Sequence, residues 1–289
     1  MNKGVVIFAH NNRTLDYGRM AILSGILAKK NLDVPVSLIT DPFTVDWMKE
    51  DGIFEDASKI FDKIIISVQP DTKNIRKIHD GASGDGAHCQ FLNSNRSNVW
   101  DLTPYERTLL IDSDYFILSD NLNNYWNVDC DLMISKKYND IIGEERTGYL
   151  DKRISDTGIE MLWATTVMFT KNEYTQTFFN LVDHIRENYE RYGDIYRYDY
   201  RVYRNDIAFS IANHIMNGFQ ESDDYSLPPV LSTIDKDMLH DYDKNKLTFL
   251  ITDLKNNYAA ATIQNKDVHV MNKLSIVRNY KKILKMEAQ

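Results

Sequence analysis

The chain has 289 residues, of which 43% are hydrophobic and 11% aromatic, and it carries a formal net charge of -8. This length can bury a full core, and we interpret it as a single catalytic domain over residues 1–289. The acidic balance argues against a protein that coats nucleic acid by bulk charge, although it does not exclude a local basic groove. The two cysteines, Cys89 and Cys130, lack metal-ligand or disulfide-framework spacing, which predicts a reducing compartment.

The N-terminal apolar run before His10 is only about six residues long, too short for a signal peptide core or a membrane span. No other segment of the sequence approaches the length of a membrane span. A cytoplasmic location is therefore expected.

Strands and helices are predicted to alternate from the N-terminus. Residues 4–9 form a short β-branched and apolar run typical of a buried strand, and apolar residues at helical spacing follow over 20–30. Further strands are predicted at 36–39, before the turn at 40–42, and at 64–66. This alternation predicts an α/β fold with a mostly parallel central sheet flanked by helices, in which ligands bind beyond the carboxyl ends of the strands.

The remaining elements are less regular. Residues 79–98 are rich in Gly, Ser and Asn and lack a clear period, which predicts a mobile loop. Strands are then predicted at 108–111, 132–135 and 163–169, and helices at 173–191 and 205–217. Residues 220–289 are expected to complete the metal and acceptor side of the domain.

Two carboxylates follow the strand at 108–111. Asp112 and Asp114 are two residues apart, so in an extended chain they face the same side, where hard oxygen ligands suit Mg²⁺ or Mn²⁺. Other Asp-x-Asp sequences occur at 129–131, 235–237 and 241–243, but only the first lies between two apolar runs. The alternative is a pair of acids that merely ends a strand.

A third metal ligand is predicted near the C-terminus. His269 lies in the apolar-flanked segment 267–273, and Lys273 follows four residues later. An imidazole can complete the coordination of the cation, and an ammonium can neutralise a departing phosphate. The alternative is a surface strand with an incidental histidine.

The segment 108–118 resembles the strand and DxD motif of GT-A glycosyltransferases, particularly the glycosyltransferase family 8 and glycogenin-like group. In that group a late His-x-x-Gly-x-x-Lys segment supplies the third metal ligand and a phosphate-binding lysine. Here His269 and Lys273 are similar, but the glycine is missing and the spacing is shorter. The resemblance implies a Rossmann-like GT-A fold.

The resemblance extends more weakly over most of the chain. It implies donor binding by several residues and a catalytic or pair-partner role for Asp206 near the sugar pocket at 163–169. Strand-end, helix-cap, salt-bridge and core-packing roles are the alternatives. The implied donor-binding residues are Ala9, His10, Asn11, Asp41, Arg96, Ser113 and Lys273.

The reaction implied is transfer of a sugar from a nucleoside diphosphate sugar, usually UDP-linked, to an acceptor hydroxyl with the help of Mn²⁺ or Mg²⁺. A family 8 enzyme would retain the anomeric configuration, whereas an inverting enzyme would need a base such as Asp206 or Glu160. A different class remains open: a noncatalytic nucleotide-binding protein in which the two acids are structural.

The acceptor is predicted from the overall composition of the chain and from its basic and aromatic segments, without a specific motif. The chain looks like proteins of large tailed phages, some of which transfer sugars to hydroxymethylated cytosine in DNA, and this would place it in the host cytoplasm. Supporting features are Arg76, Lys77 and Arg96, the Tyr and Arg run at 191–204, and the basic segment 273–285. Tyrosines that pack locally are the alternative for that run, and a lipopolysaccharide or other glycan is the alternative acceptor. No obligate protein partner is indicated.

Overall fold

The computed structural model describes residues 2–12, 14–68, 74–80, 86–146, 152–155, 158–221, 225–255 and 257–288. The strands are β1 (Lys3–Phe8), β2 (Val36–Thr40), β3 (Lys63–Ile66), β4 (Ile75–His79), β5 (Gly86–Gln90), β6 (Arg107–Ile111), β7 (Tyr115–Phe116), β8 (Leu132–Ser135), β9 (Tyr138–Asp140), β10 (Trp163–Thr170), β11 (Val230–Ser232), β12 (Met238–Asp243), β13 (Lys246–Thr252), β14 (Tyr258–Gln264) and β15 (Val268–His269). The helices are α1 (Tyr17–Leu32), α2 (Pro42–Glu50), α3 (Phe54–Ile60), α4 (Val99–Leu102), α5 (Glu173–Glu187), α6 (Tyr189–Tyr196), α7 (Asn205–Met216) and α8 (Lys273–Glu287).

A six-stranded sheet forms the centre, in the order β3-β2-β1-β6-β10-β8. Strands β3, β2, β1 and β6 are parallel, while β10 runs antiparallel to both of its neighbours. Every residue of β2 and β6 is buried, as expected for strands covered on both faces. The predicted α/β class, with a mostly parallel sheet flanked by helices, is confirmed.

The first crossover helix shows how the local sequence sets the chain direction. Asp16 caps the start of α1 by accepting a hydrogen bond from the Arg19 N–H, and Lys29 and Lys30 lie in the last turn, where cations favour a helix end. Asp33 then ends the helix in the left-handed region at φ 52°. The chain therefore returns to the sheet as β2, and β1, β2 and β6 end at the same edge.

Three smaller sheets surround this edge. The order β7-β15-β11-β9 brings the late strand β15 against the chain that follows β6. Strands β12, β13 and β14 form an antiparallel meander, and β4 pairs with β5 as a separate hairpin. Residues from 225 to 288 thus supply β11 to β15 and α8, although their assignment to the acceptor side stays a prediction.

The loop predicted at 79–98 was wrong, whereas the helix predicted at 173–191 was confirmed over most of its length. Residues 79–98 contain the end of β4, all of β5 and a short 3-10 helix at Arg96–Asn98, whereas 81–85 lie outside the described residues. Cross-strand backbone pairing stabilises this hairpin without an apolar repeat. The helix predicted at 173–191 ends at Glu187, and α6 begins after Asn188, whose N–H bonds to the His184 carbonyl.

None of the helices in the described ranges is both long enough and apolar enough to cross a membrane.

Candidate metal and nucleotide site

Asp112 and Asp114 lie directly beyond the carboxyl end of β6. The Asp112 N–H donates to the Thr165 carbonyl on β10 at 3.0 Å, and the Asp112 carbonyl accepts from the Tyr115 N–H at 3.1 Å, which turns the chain. The Asp114 side chain is only 5% exposed, compared with 30% for Asp112. The turn therefore presents one nearly buried and one accessible carboxylate at the edge of the sheet.

The pairing of β15 with β7 brings His269 to these carboxylates. His269 lies opposite Tyr115, and the Val270 N–H donates to the Asp114 carbonyl at 2.9 Å. His269 Nε2 is 3.3 Å from Asp114 Oδ1 and 3.9 Å from Asp112 Oδ2. One ligand atom from each of the three residues lies within 4.8 Å of the others. Two carboxylates and an imidazole converging on one point fit a divalent cation that keeps positions open for phosphate oxygens.

Lys273 lies on the other side of Asp114. Asn272 caps α8 through a hydrogen bond from the Ser275 N–H at 3.0 Å, so Lys273 becomes the first residue of the helix. Its Nζ lies 2.5 Å from Asp114 Oδ2, while Oδ1 of the same carboxylate faces His269. The shorter His-to-Lys spacing in this chain therefore still brings the ammonium to the cluster.

The electrostatics of the cluster keep Asp114 ionised. Burial alone would raise the pKa of Asp114, but the charges and hydrogen bonds of Lys273 and His269 outweigh burial and hold that pKa well below its usual value. Burial opposes the charged forms of His269 and Lys273 as well, yet the Asp114 carboxylate raises the pKa of each. For Asp112, burial raises the pKa despite the opposing charge of Arg96.

Arg96 orients the accessible carboxylate. Its side chain is 4% exposed, and Nη1 donates to Asp112 Oδ1 at 2.7 Å. The second oxygen of Asp112 is left to face His269. Ser113, between the two acids, is buried, and its carbonyl accepts a hydrogen bond from Ser24 Oγ at 2.6 Å.

Asp206 lies in the first turn of α7 and lines the same pocket as the cluster. Its Oδ1 accepts the Ala164 N–H at 2.9 Å, and its Oδ2 pairs with Arg204 at 3.2 Å. This contact falls where the register of β10 shifts between Trp163 and Val167. Asp206 therefore fixes the shape of β10 where that strand lines the cleft.

Three residues predicted to bind the donor, Ala9, His10 and Asn11, are fully buried and directly follow β1. His10 Nδ1 lies 2.6 Å from Asn93 Oδ1, and burial lowers the pKa of His10, which favours its neutral ring. Asn11 Oδ1 accepts the Gly18 N–H at 2.8 Å and so fixes the start of α1. Contact between these side chains and a nucleotide stays a prediction.

Asp41 has a clear local role. It precedes α2, and its Oδ1 accepts the Thr44 N–H at 2.7 Å. A helix cap of this kind satisfies a backbone donor that would otherwise lack a partner. The capping role of Asp41, one of its predicted alternatives, is therefore observed, and its contact with a donor stays a prediction.

The cluster opens into a cleft of about 650 Å³. Cavities of this size bind cofactors and drug-sized ligands. Trp163 and Tyr138 form part of its wall, with ring centroids 4.5 Å apart. Other lining residues include Phe8, Tyr17, Arg76, Phe91, Asn93, Arg96, Asp112, Asp114, Arg146, Thr165, Arg204, Asp206, His269 and Lys273.

Sequence reasoning missed several of these lining residues as donor-site candidates. Tyr17, Phe91 and Arg146 were not predicted for any role, and Arg76 and Arg204 were predicted only as support for a DNA acceptor. These residues are recognisable only from contacts between segments that are distant in the chain. For example, the Arg76 guanidinium lies 3.5 Å from the centroid of the Phe91 ring.

No protein-family model matches this sequence, and none of the curated proteins matches it. Among solved structures, the chain is similar to the glycosyltransferase GlyE of Streptococcus pneumoniae TIGR4 at 14% identity and a TM-score of 0.39, covering 78% of this chain and 46% of GlyE. It is similar to the galactosyltransferase LgtC at 13% identity and a TM-score of 0.40, covering 74% and 70%. The glycosyltransferase PaToxG gives 13% identity and a TM-score of 0.40, with 74% and 69% covered. The chain thus spans less than half of GlyE, and likenesses at this level decide neither donor nor reaction.

Proposed function

We propose that the protein is a metal-dependent glycosyltransferase that moves a sugar from a nucleoside diphosphate donor, UDP-linked by preference, to an acceptor hydroxyl. The main observation that supports this proposal is the convergence of Asp112, Asp114 and His269 at the carboxyl end of β6, with the Lys273 ammonium beside them. The cluster opens into a cleft of about 650 Å³, large enough for a nucleotide sugar.

The three ligand residues would hold Mn²⁺ or Mg²⁺. When bound, the cation stabilises the negative charge that develops on the departing diphosphate. Lys273 adds a compact positive charge at the same place, where few waters screen it because its side chain is only 20% exposed. Arg96 keeps the Asp112 carboxylate in one orientation, so the site is preorganised before the donor arrives.

We further propose that the transfer retains the anomeric configuration. An inverting reaction needs a carboxylate free to take a proton from the acceptor. Both oxygens of Asp206 are engaged, by the Ala164 N–H and by Arg204, which makes it a poor free base. Glu160, the other candidate base, lines a different cavity and is not among the residues that line the cleft. We expect an α-linked product from an α-linked donor, and the NMR coupling of the product's anomeric proton measures this directly. A β-linked product would contradict the retaining mechanism.

For the acceptor we propose hydroxymethylated cytosine in DNA, with a glycan as the alternative. Support is confined to exposed groups such as Tyr200 and Lys77, of which Lys77 lines the cleft, whereas the exposed Arg201 already pairs with Asp199. Other tyrosines of the predicted stacking run pack on each other, with Tyr189 and Tyr198 ring centroids 4.9 Å apart.

The basic C-terminal segment lends little support to a DNA acceptor. On α8, Arg278 pairs with Asp80 at 2.6 Å and Lys282 pairs with Asp241 at 2.6 Å, so acids neutralise part of its charge.

The test is release of free nucleoside diphosphate from a panel of nucleotide sugars, with and without Mn²⁺. We expect release from one donor, only with the metal, and stimulation by hydroxymethylated DNA. Stimulation by a glycan and not by DNA would keep the transferase and change the acceptor. Binding of nucleotides without release from any donor would favour a noncatalytic nucleotide-binding protein.

A further inference from the structure

The hairpin of β4 and β5 contributes Ile75, Arg76 and Lys77 to the wall of the cleft. At one end, the Asn74 side chain and the Arg76 guanidinium both donate to the Tyr203 carbonyl, at 3.2 and 2.7 Å. At the other end, Asp80 pairs with Arg278 of α8. The hairpin is therefore anchored on both sides, and this holds Arg76 over the site.

Arg76 differs from the other shielded cations that line the cleft. Arg76 is half-buried, and among the described residues it has no carboxylate within salt-bridge distance. Its Nε is buried without a hydrogen-bond partner. A guanidinium that is partly removed from water and has no anion beside it raises the free energy of the folded state, because burial removes water that would otherwise stabilise the charge. The other shielded cations all have carboxylate partners: Arg96 with Asp112, Arg146 with Asp140 and Asp237, Arg204 with Asp206, and Lys273 with Asp114.

The side chain is held in place without a carboxylate. Its guanidinium stacks on the Phe91 ring at 3.5 Å, and its Nη2 is bonded to the Tyr203 carbonyl. Stacking of this kind leaves the edges of the guanidinium able to donate. Arg76 is thus preorganised to bind an anion.

Arg76 lies on the same cavity walls as Lys273, the lysine proposed to contact the phosphates. Arg76 and Lys273 both line the main cleft and a smaller connected cavity of about 160 Å³, and Tyr17 lies on the wall of both. Asp112, Asp114 and His269 line the same main cleft. Two cations on the wall that also carries the metal ligands suit a diphosphate.

We propose that Arg76 is a second phosphate-binding cation, which together with Lys273 binds the diphosphate of the nucleotide donor. This inference rests on the proposed function, because it assigns a further residue to the same donor. Binding of the diphosphate would supply the anion that the guanidinium lacks, and it would tie the hairpin to the donor.

The test is calorimetric binding of UDP and of uridine in the presence of Mg²⁺. Arg76→Gln should weaken UDP binding about 10- to 100-fold, the range for loss of a charged hydrogen bond, and leave uridine binding unchanged. Arg76→Lys keeps the charge and should lose less. The matched control is Arg153→Gln, because Arg153 is exposed and pairs with Glu221 outside the cleft, and it should bind UDP like the wild type.

The outcomes separate the two proposals. Wild-type UDP binding that neither Arg76 variant weakens would overturn the role of Arg76 and leave the transferase standing. Equal weakening of UDP and uridine would also overturn it, since uridine has no phosphate. A wild-type protein that binds none of UDP, GDP, ADP and CDP would overturn the proposed function itself. If Arg76→Gln does not fold, the UDP-to-uridine ratio for Arg76→Lys decides.

Discussion

Asp114→Asn should lower metal-dependent release of nucleoside diphosphate by at least about 100-fold, the scale on which loss of one preorganised electrostatic contact acts. The substitution keeps the shape of the side chain but removes the charge that faces both His269 and Lys273. It therefore weakens one metal ligand and leaves the Lys273 ammonium without its carboxylate partner. The measurement is steady-state release of nucleoside diphosphate at saturating Mn²⁺.

A matched control lies in the same chain. Asp129 belongs to an Asp-x-Asp sequence of identical spacing, but it is exposed and lies away from the cleft. Asp129→Asn should keep the wild-type rate. Circular dichroism of both variants excludes unfolding as the cause, and a folded Asp114→Asn with wild-type activity would show that the acid pair is only structural.

Arg146→Ala should lower the free energy of unfolding by about 3–5 kcal/mol, the cost of removing one partner from a buried ion pair. The Arg146 guanidinium bonds to both oxygens of Asp140, at 2.8 and 2.9 Å, and to both of Asp237, at 2.8 and 2.7 Å. It also donates to the Thr252 carbonyl at 3.0 Å. These three charged side chains are between 0 and 3% exposed, so the variant would leave two carboxylates buried without a cation.

Chemical denaturation measures this loss. Arg153→Ala is the control, because Arg153 and its partner Glu221 are each 51% exposed. Surface pairs of this kind contribute about 0–1 kcal/mol. Equal destabilisation by the two variants would contradict a structural role for the buried cluster that joins β9 to the β12 to β14 meander.

The sequence predicted the elements and residues whose signal is local. Asp112 and Asp114 follow directly from an apolar strand, and a parallel sheet brings strand ends to one edge. His269 was recognisable from the apolar residues on both sides of it. These features depend on a few neighbouring residues, so one sequence is enough to suggest them.

The remainder of the site depends on contacts between distant segments. The contact between Arg76 and Phe91 requires the hairpin, which the Gly, Ser and Asn composition of 79–98 concealed. Asp140 on β9 and Asp237, just before β12, meet at Arg146 although β9 and β12 belong to different sheets. No local periodicity encodes such contacts.

Acidic residues at strand and helix ends show a second limit of prediction from sequence. Asp is common just after a strand or at the start of a helix both as a helix cap and as a substrate ligand. Asp41 caps α2, and Asp206 bonds to the backbone of β10 as well as to Arg204. Only three-dimensional contacts separate these uses, because the residue type and position are the same for both.

Anomalous X-ray diffraction from crystals of the protein grown with Mn²⁺ and UDP would locate the metal. We expect one manganese peak within bonding distance of Asp112, Asp114 and His269, with the diphosphate on the same ion. A peak elsewhere, or ordered UDP at the cleft with no manganese beside these three residues, would contradict the claim that they form a metal site for a nucleotide donor.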